Sequence, residues 1–274
     1  MNNLAKTLGV QPRKSLGQNF LVDPSVTQRI VDAAGIQPGD LVVEIGPGLG
    51  ALTGLLAERA GEVVAIELDQ ALIPHLQSQL AGKTNVRIIH ADALKVDYAE
   101  LCAGRSVRIV ANLPYYITSH AIRVLLESNI DWRSIVLTVQ LEVAQRVTAK
   151  PPHMSTLAVS VQYYGAPELL FRLPPSAFYP QPEVDSATLR INPLQARRNI
   201  PAAEFFLWVK AGFSEPRKQL RNTIAKKLGI SKGVTEDILI KSGITPERRP
   251  ESITMQEWFD LVQTGISMRQ QSDS

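Results

Sequence analysis

Apolar and polar positions fall into alternating blocks along the first half of the chain. Short apolar runs at 41–45, 63–66, 86–90, 107–111 and 134–139 read as buried strands. Between them, at 51–60, 70–81, 97–102, 119–128 and 141–148, apolar residues recur at helical spacing. Strand–helix alternation of this kind predicts an α/β fold with a doubly wound parallel sheet. Ahead of the first run, Asp23-Pro24 supplies an N-cap and a proline at the first helical position. Val26, Ile30, Val31 and Ala34 then share one face, and Gly35 closes that helix. Two later strand patterns, Thr156–Tyr164 and Ser186–Ile191, flank a proline-rich loop with no helix between them. They predict an antiparallel hairpin at one sheet edge.

From Pro193 to Pro201 the chain reads as a linker, and beyond it the period is helical throughout. Phe205, Phe206, Val209 and Phe213 share one face, and Leu220, Ile224 and Leu228 another. The expected domains are therefore 1–195, α/β, and 196–274, small and all-α.

Chemistry first enters at Glu44-Ile45-Gly46-Pro47-Gly48-Leu49-Gly50. A strand, a tight turn with glycines at alternate positions and a helix start form a ligand-approach geometry, since side chains would keep a ligand off the backbone. The spacing G-x-G-x-G differs from the dinucleotide fingerprint G-x-G-x-x-G, which sets a pyrophosphate on a helix N-terminus. Glu44, two residues before the first glycine, disfavours a pyrophosphate and favours a cationic sulfonium and ammonium. S-adenosylmethionine is expected rather than NAD. Glu67 ends the next run about 20 residues on, where an acid commonly binds ribose hydroxyls. Asp92, after the third run, either accepts from an exocyclic adenine amine or caps the following helix.

Asn112-Leu113-Pro114-Tyr115 ends the fourth run. Asn112 offers an amide oxygen, Leu113 and Pro114 offer carbonyls, and Tyr115 offers a ring for stacking. Acceptors on both hydrogens of an exocyclic amine free a lone pair otherwise delocalised into the base, so attack on a methyl needs positioning more than a strong base. Phe178, in the rigid stretch Phe178-Tyr179-Pro180-Gln181-Pro182, is the candidate for the other face of the same base.

Composition narrows the partners. The net charge of +3 hides an asymmetry: residues 1–196 carry 16 basic and 17 acidic side chains, residues 197–251 carry 12 and 6. A basic final quarter points to a polyanion such as nucleic acid. The single cysteine, Cys102, excludes an intrachain disulfide and a cysteine-clustered metal site. The four histidines, His75, His90, His120 and His153, lack ligand spacing, so no metal is expected. No apolar run is long enough for a membrane span, residues 1–10 carry no presequence pattern, and a cytoplasmic monomer is the expectation.

Four motifs, Lys14-Ser15-Leu16-Gly17-Gln18-Asn19-Phe20-Leu21, Val43 to Gly50, Asn112 to Tyr115 and Phe178 to Ser186, together resemble the ribosomal RNA adenine dimethyltransferases, nearly end to end. The resemblance implies a class I, Rossmann-like methyltransferase fold with a helical C-terminal RNA-binding domain. It implies S-adenosylmethionine-dependent N6,N6-dimethylation of two adjacent adenosines in the 3′-terminal hairpin of 16S rRNA, within immature 30S subunits, and a role in their biogenesis. By motif matching, residues 1–22 form an N-terminal lid from which Asn19 and Leu21 touch the cofactor. Gly46 lines its amino-acid end, Glu67 its ribose, Asp92 its adenine amine and Asn112 the transfer region. The family's Tyr-Gly-x-Leu is replaced by Pro151-Pro152-His153-Met154-Ser155-Thr156-Leu157, which bears on local substrate contacts. The alternatives are a 23S rRNA methyltransferase of the macrolide-resistance type, a DNA adenine methyltransferase, and a mainly non-catalytic ribosome assembly factor.

Overall fold

The computed structural model describes residues 11–194, 200–215 and 217–272. Two compact units emerge. The first runs to Gln145 and resumes over Gly165–Pro193; the second takes Arg146–Tyr164 and the chain from Leu194 onward. The sequence-based boundary at 195/196, and residues 195–199 of the expected linker, lie outside the described residues, as do residues 1–10 of the expected lid.

The first unit is built on a seven-stranded sheet in the order β4-β3-β2-β5-β6-β9-β7. Its strands are β2 (Leu41–Ile45), β3 (Glu62–Glu67), β4 (Val86–His90), β5 (Val107–Asn112), β6 (Trp132–Gln140), β7 (Gly165–Leu173) and β9 (Ser186–Pro193). The first five are parallel; β9 pairs antiparallel with β6 and β7. The chain leaves β2 toward β3 and β4, then returns to lay β5 on the other side of β2. That reversal is the switch point, where ligands bind off the carboxyl ends of parallel strands. β2 and β5 are apolar because helices cover the sheet: all five residues of β2 are buried. Helices α1 (Pro24–Ala33) and α2 (Ala51–Arg59) pack Val26, Ile30, Val31, Leu52 and Leu56 against Val42, Val63, Val110 and Val136. Asp23 caps α1 by accepting from the Ser25 and Val26 N–H groups. The first unit also holds α3 (Ile73–Gln79), α4 (Tyr98–Cys102) and α5 (Thr118–Glu127). A two-stranded ribbon, β1 (Phe20–Leu21) with β8 (Phe178–Tyr179), ties the N-terminal segment to the proline-rich loop.

The edge hairpin exists, but its first strand is Gly165–Leu173, not Thr156–Tyr164. After α6 (Leu141–Val147), residues Thr156–Tyr164 form α7, and the second unit claims them. Ser155 accepts from the Ala158 N–H at 3.1 Å, an N-cap, and Ala158 and Val159 enter the second unit's core. The β-branched composition suggested a strand, and tertiary packing overrode it. Met154, in the departing Pro151–Leu157 loop, is buried in that same core.

The second unit adds α8 (Ala202–Gly212), α9 (Leu220–Leu228), α10 (Lys232–Lys241) and α11 (Met255–Ser272). Its core is aromatic: Phe205 and Phe259 stack at 4.6 Å, and Tyr163 lies 4.7 Å from Phe205. Trp208 and Trp258 are wholly buried. Gly265 and Gly212 admit them, since a Cβ there would fall 2.2 Å from the Trp208 ring and 2.5 Å from Trp258. Among the described residues no helix is long and apolar enough to cross a membrane.

Candidate active site

β2 ends in the glycine turn. Gly46, Gly48 and Gly50 all take the left-handed conformation that side-chain-bearing residues avoid. At Gly48 the need is also steric, because a Cβ would sit 3.0 Å from the Phe20 ring. The turn is held by Glu67 at the end of β3, whose carboxylate accepts from the Gly48 N–H at 3.0 Å and the Asp69 N–H at 2.7 Å. Burial pushes the Glu67 carboxyl up from its ordinary range. Beyond β4, Asp92 accepts from the Leu94 N–H at 3.0 Å and stays half-buried.

At the end of β5, the Asn112 side chain donates to the Asn19 backbone carbonyl at 2.9 Å. That bond fixes the amide plane. A Cβ on Gly46 would lie 3.7 Å from the Asn112 carbonyl oxygen, so the mouths of β2 and β5 adjoin. The Pro114 carbonyl is engaged by the Ile117 N–H and the Thr118 hydroxyl, both at 3.2 Å. It therefore does not point outward as an unengaged acceptor, a correction to the sequence reading. The half-buried Tyr115 places its hydroxyl 2.7 Å from that of Ser186, a wholly buried residue at the start of β9.

These residues line one cleft of about 780 Å³, part of it open to solvent. It brings together Asn19, Gly46, Glu67, Asp92, Asn112, Leu113, Pro114 and Tyr115. The N-terminal segment is latched across it. Arg13 pairs with Asp69 at 2.9 Å, and Gln18 donates to the same carboxylate at 2.9 Å. The Asp69 latch was not foreseen, although an acid two residues after Glu67, capping the short turn Gln70–Leu72 through the Ala71 N–H, is a readable capping pattern. Ser186 was also missed, for its role depends on a pairing 71 residues distant.

Two expectations are corrected here, those for Phe178 and Glu44. Leu21 and Phe178 face each other across the β1–β8 ribbon, and both enter the core, 5% and 2% exposed. The ribbon alternates sides, so Phe20 and Tyr179 turn instead toward Leu49 and Leu72. Phe178 thus offers no free face to a base. Leu21 borders a smaller recess of about 290 Å³ beside Gly46, Gly48 and Asn112. The second is Glu44, which does not border the cleft: it is 1% exposed, on the face of β2 covered by α2. Neither of its carboxyl oxygens has a hydrogen-bond partner among the described residues. Burial pushes this carboxyl up to about 8 from 4.5. The folded protein holds a proton there that the unfolded chain releases. Its contribution to stability is complete below about pH 4.5 and is lost as pH rises through about 8. Between pH 5 and 8.5 the melting temperature of the wild type is expected to fall relative to that of Glu44→Gln; parallel curves would show that Glu44 is ionised throughout.

Among the described residues no group of three metal-ligating side chains occurs. His120 is exposed and does not border the cleft.

Comparison with known proteins follows the same lines. The ribosomal RNA adenine dimethylase family model matches residues 9–265. The ribosomal RNA small subunit methyltransferase A of Dehalococcoides mccartyi strain CBDB1 is 46% identical over 256 residues, 92% of this chain and 88% of its own length. The enzyme of the same name from Moorella thermoacetica is 43% identical over 275 residues, covering 95% of each chain. Among solved structures, the 23S rRNA methyltransferase ErmE superposes with a TM-score of 0.74 at 26% identity, over 90% of this chain and 99% of that one. A dimethyladenosine transferase from Plasmodium falciparum gives 0.79 at 23% identity, over 90% and 98%, a likeness of fold.

Proposed function

The chain belongs to the ribosomal RNA adenine dimethylase family, and on that premise we propose that it dimethylates the N6 atoms of two adjacent adenosines in the 3′-terminal hairpin of 16S rRNA, using S-adenosylmethionine. Its substrate is the immature small subunit, its place the cytoplasm, and its working form a monomer. The observation that carries the reading is the adjacency of Gly46 and Asn112, which sets a cofactor mouth against an amine-binding mouth.

The residues present fit the cofactor. Glu67 is held by two backbone donors with oxygen lone pairs left for ribose hydroxyls, and Asp92, which accepts from the Leu94 N–H and pairs with exposed Lys95 at 3.7 Å, keeps lone pairs for an adenine amine. Gly46 leaves backbone open for the amino-acid end, and Asn19 closes the cleft from the N-terminal segment. The Leu21 side chain packs into the core, and the residue meets the cofactor from the recess that it borders with Gly46 and Asn112. The cofactor, when bound, supplies an electrophilic methyl carbon.

The chain's own groups then prepare the nucleophile. The Asn112 amide oxygen and the Leu113 carbonyl accept the two hydrogens of the target amine and draw its lone pair out of conjugation. Tyr115, its hydroxyl anchored on Ser186, stacks on the base and fixes its height in the cleft.

RNA contact falls to the second unit. Arg221, Lys226 and Arg248 are already paired with Glu236, Glu215 and Glu257, whereas Arg217, Lys218 and Lys227 are exposed. These last three are the ones proposed to meet phosphates.

Methyl-labelled cofactor is incubated in parallel with unmodified small subunits and with unmodified 23S rRNA, and label is expected in the two hairpin adenines of the small subunit. Label confined to 23S rRNA would favour the second reading, which the likeness to ErmE supports. No label in either RNA would overturn both.

A further inference from the structure

We propose that Tyr116 is a second base-stacking platform, which holds the nucleotide flanking the target adenine at the mouth of the cleft. The inference rests on the proposed RNA substrate and goes beyond it by assigning a subsite.

The Tyr116 ring borders the cleft together with Gly17, Pro114 and Ile117, and is 62% exposed. An exposed tyrosine on a surface turn is ordinarily free to swing. This one is backed by the latched N-terminal segment. A Cβ built on Gly17 would lie 3.1 Å from Cδ1 and 3.3 Å from Cε1 of the ring, so the ring rests against bare backbone. Gly17 takes a φ of +57°, where glycine is favoured, and the segment around it is fixed by the Gln18–Asp69 and Arg13–Asp69 bonds. A ring held in place before binding loses little rotamer freedom when a base stacks on it.

Direction decides which base. Tyr115 to Ile117 form a single 3-10 turn. Three residues per turn put successive side chains about 120° apart, so the two tyrosine rings cannot face one base. Tyr115 points inward, tied to the buried Ser186; Tyr116 points out to the mouth. With Tyr115 serving the target adenine, Tyr116 is left for its neighbour on the strand. Phe20 and Phe178 do not compete, being 6% and 2% exposed, and the partly buried Tyr179 packs against Phe20, Leu49 and Leu72. Lys14, exposed three residues before Gly17 and on the same segment, adds a positive charge for the linking phosphate.

The test uses the full-length protein, unmodified small subunits, and hairpin RNAs carrying 2-aminopurine at each nucleotide flanking a target adenine. With Tyr116→Ala, the apparent KM for subunits is expected to rise about tenfold or more. kcat at saturating substrate should stay within about threefold and cofactor affinity should be unchanged. Fluorescence quenching on binding should be seen with wild type and lost with Tyr116→Ala. Tyr116→Phe should restore both KM and quenching, which separates the ring from the hydroxyl. A Tyr116→Ala enzyme with wild-type KM and quenching overturns the assignment while leaving the methylation reading intact. A wild type that transfers no methyl to RNA overturns the methylation reading, and the subsite falls with it.

Discussion

Asn112→Ala is expected to lower the methylation rate at saturating cofactor and RNA by about 10²–10³-fold, the usual consequence of removing one preorganised hydrogen-bonding group from a transition state. The size follows from how the side chain is held. Its amide nitrogen donates to the Asn19 carbonyl, which fixes the amide oxygen that is proposed to accept from the target amine. Alanine removes that acceptor and leaves the amine's lone pair in conjugation with the base. Cofactor affinity is expected to change by less than about fivefold, because Gly46, Glu67 and Asp92 remain. Asn19→Ala provides the contrast. The bond uses the Asn19 backbone, so deleting the Asn19 side chain should leave the rate within about threefold. Single-turnover assays on both variants check this. An Asn112→Ala rate near that of wild type, or an equal loss in Asn19→Ala, would remove Asn112 from the amine site.

What could be read beforehand was whatever local periodicity and short-range chemistry encode. Leu41–Ile45 followed by alternating glycines specifies a strand, a turn and a helix within a dozen residues, and the sheet reproduces it. The convergence of Gly46, Glu67, Asp92 and Asn112 was legible because parallel strands deliver their carboxyl ends to one edge. Burial direction was not. Phe178 and Tyr179 are adjacent aromatics, and only the β1–β8 register decides which one enters the core. Glu44 looked like a ligand group for a similar reason: one residue of strand alternation separates a carboxylate facing the cleft from one sealed under α2. Thr156–Tyr164 carries strand-forming residues yet folds as a helix, because the core of the second unit needs Ala158 and Val159. Each miss falls where the outcome depends on a partner distant in sequence.

Glu67→Ala is the other variant with a large expected effect, and it acts on binding and on the fold together. The carboxylate joins three things: the Gly48 N–H of the glycine turn, the Asp69 N–H of the next loop, and the cleft. Removing it leaves two backbone donors without their partner in a site only 5% exposed. Each orphaned donor costs about 1–3 kcal/mol. The turn that shapes the cofactor mouth loses its tie to β3, and Asp69, which latches Arg13 and Gln18, loses its own anchor. Cofactor affinity is therefore expected to fall about 100-fold or more by calorimetry, with a lower melting temperature. Glu67→Gln should not rescue it, because its amide nitrogen would face one of the same N–H donors with a donor of its own. The lid should suffer alongside: limited proteolysis is expected to cut near Arg13 faster in Glu67→Ala than in wild type. Retained affinity with only a lowered melting temperature would reduce Glu67 to a brace for the turn and place the ribose contact elsewhere.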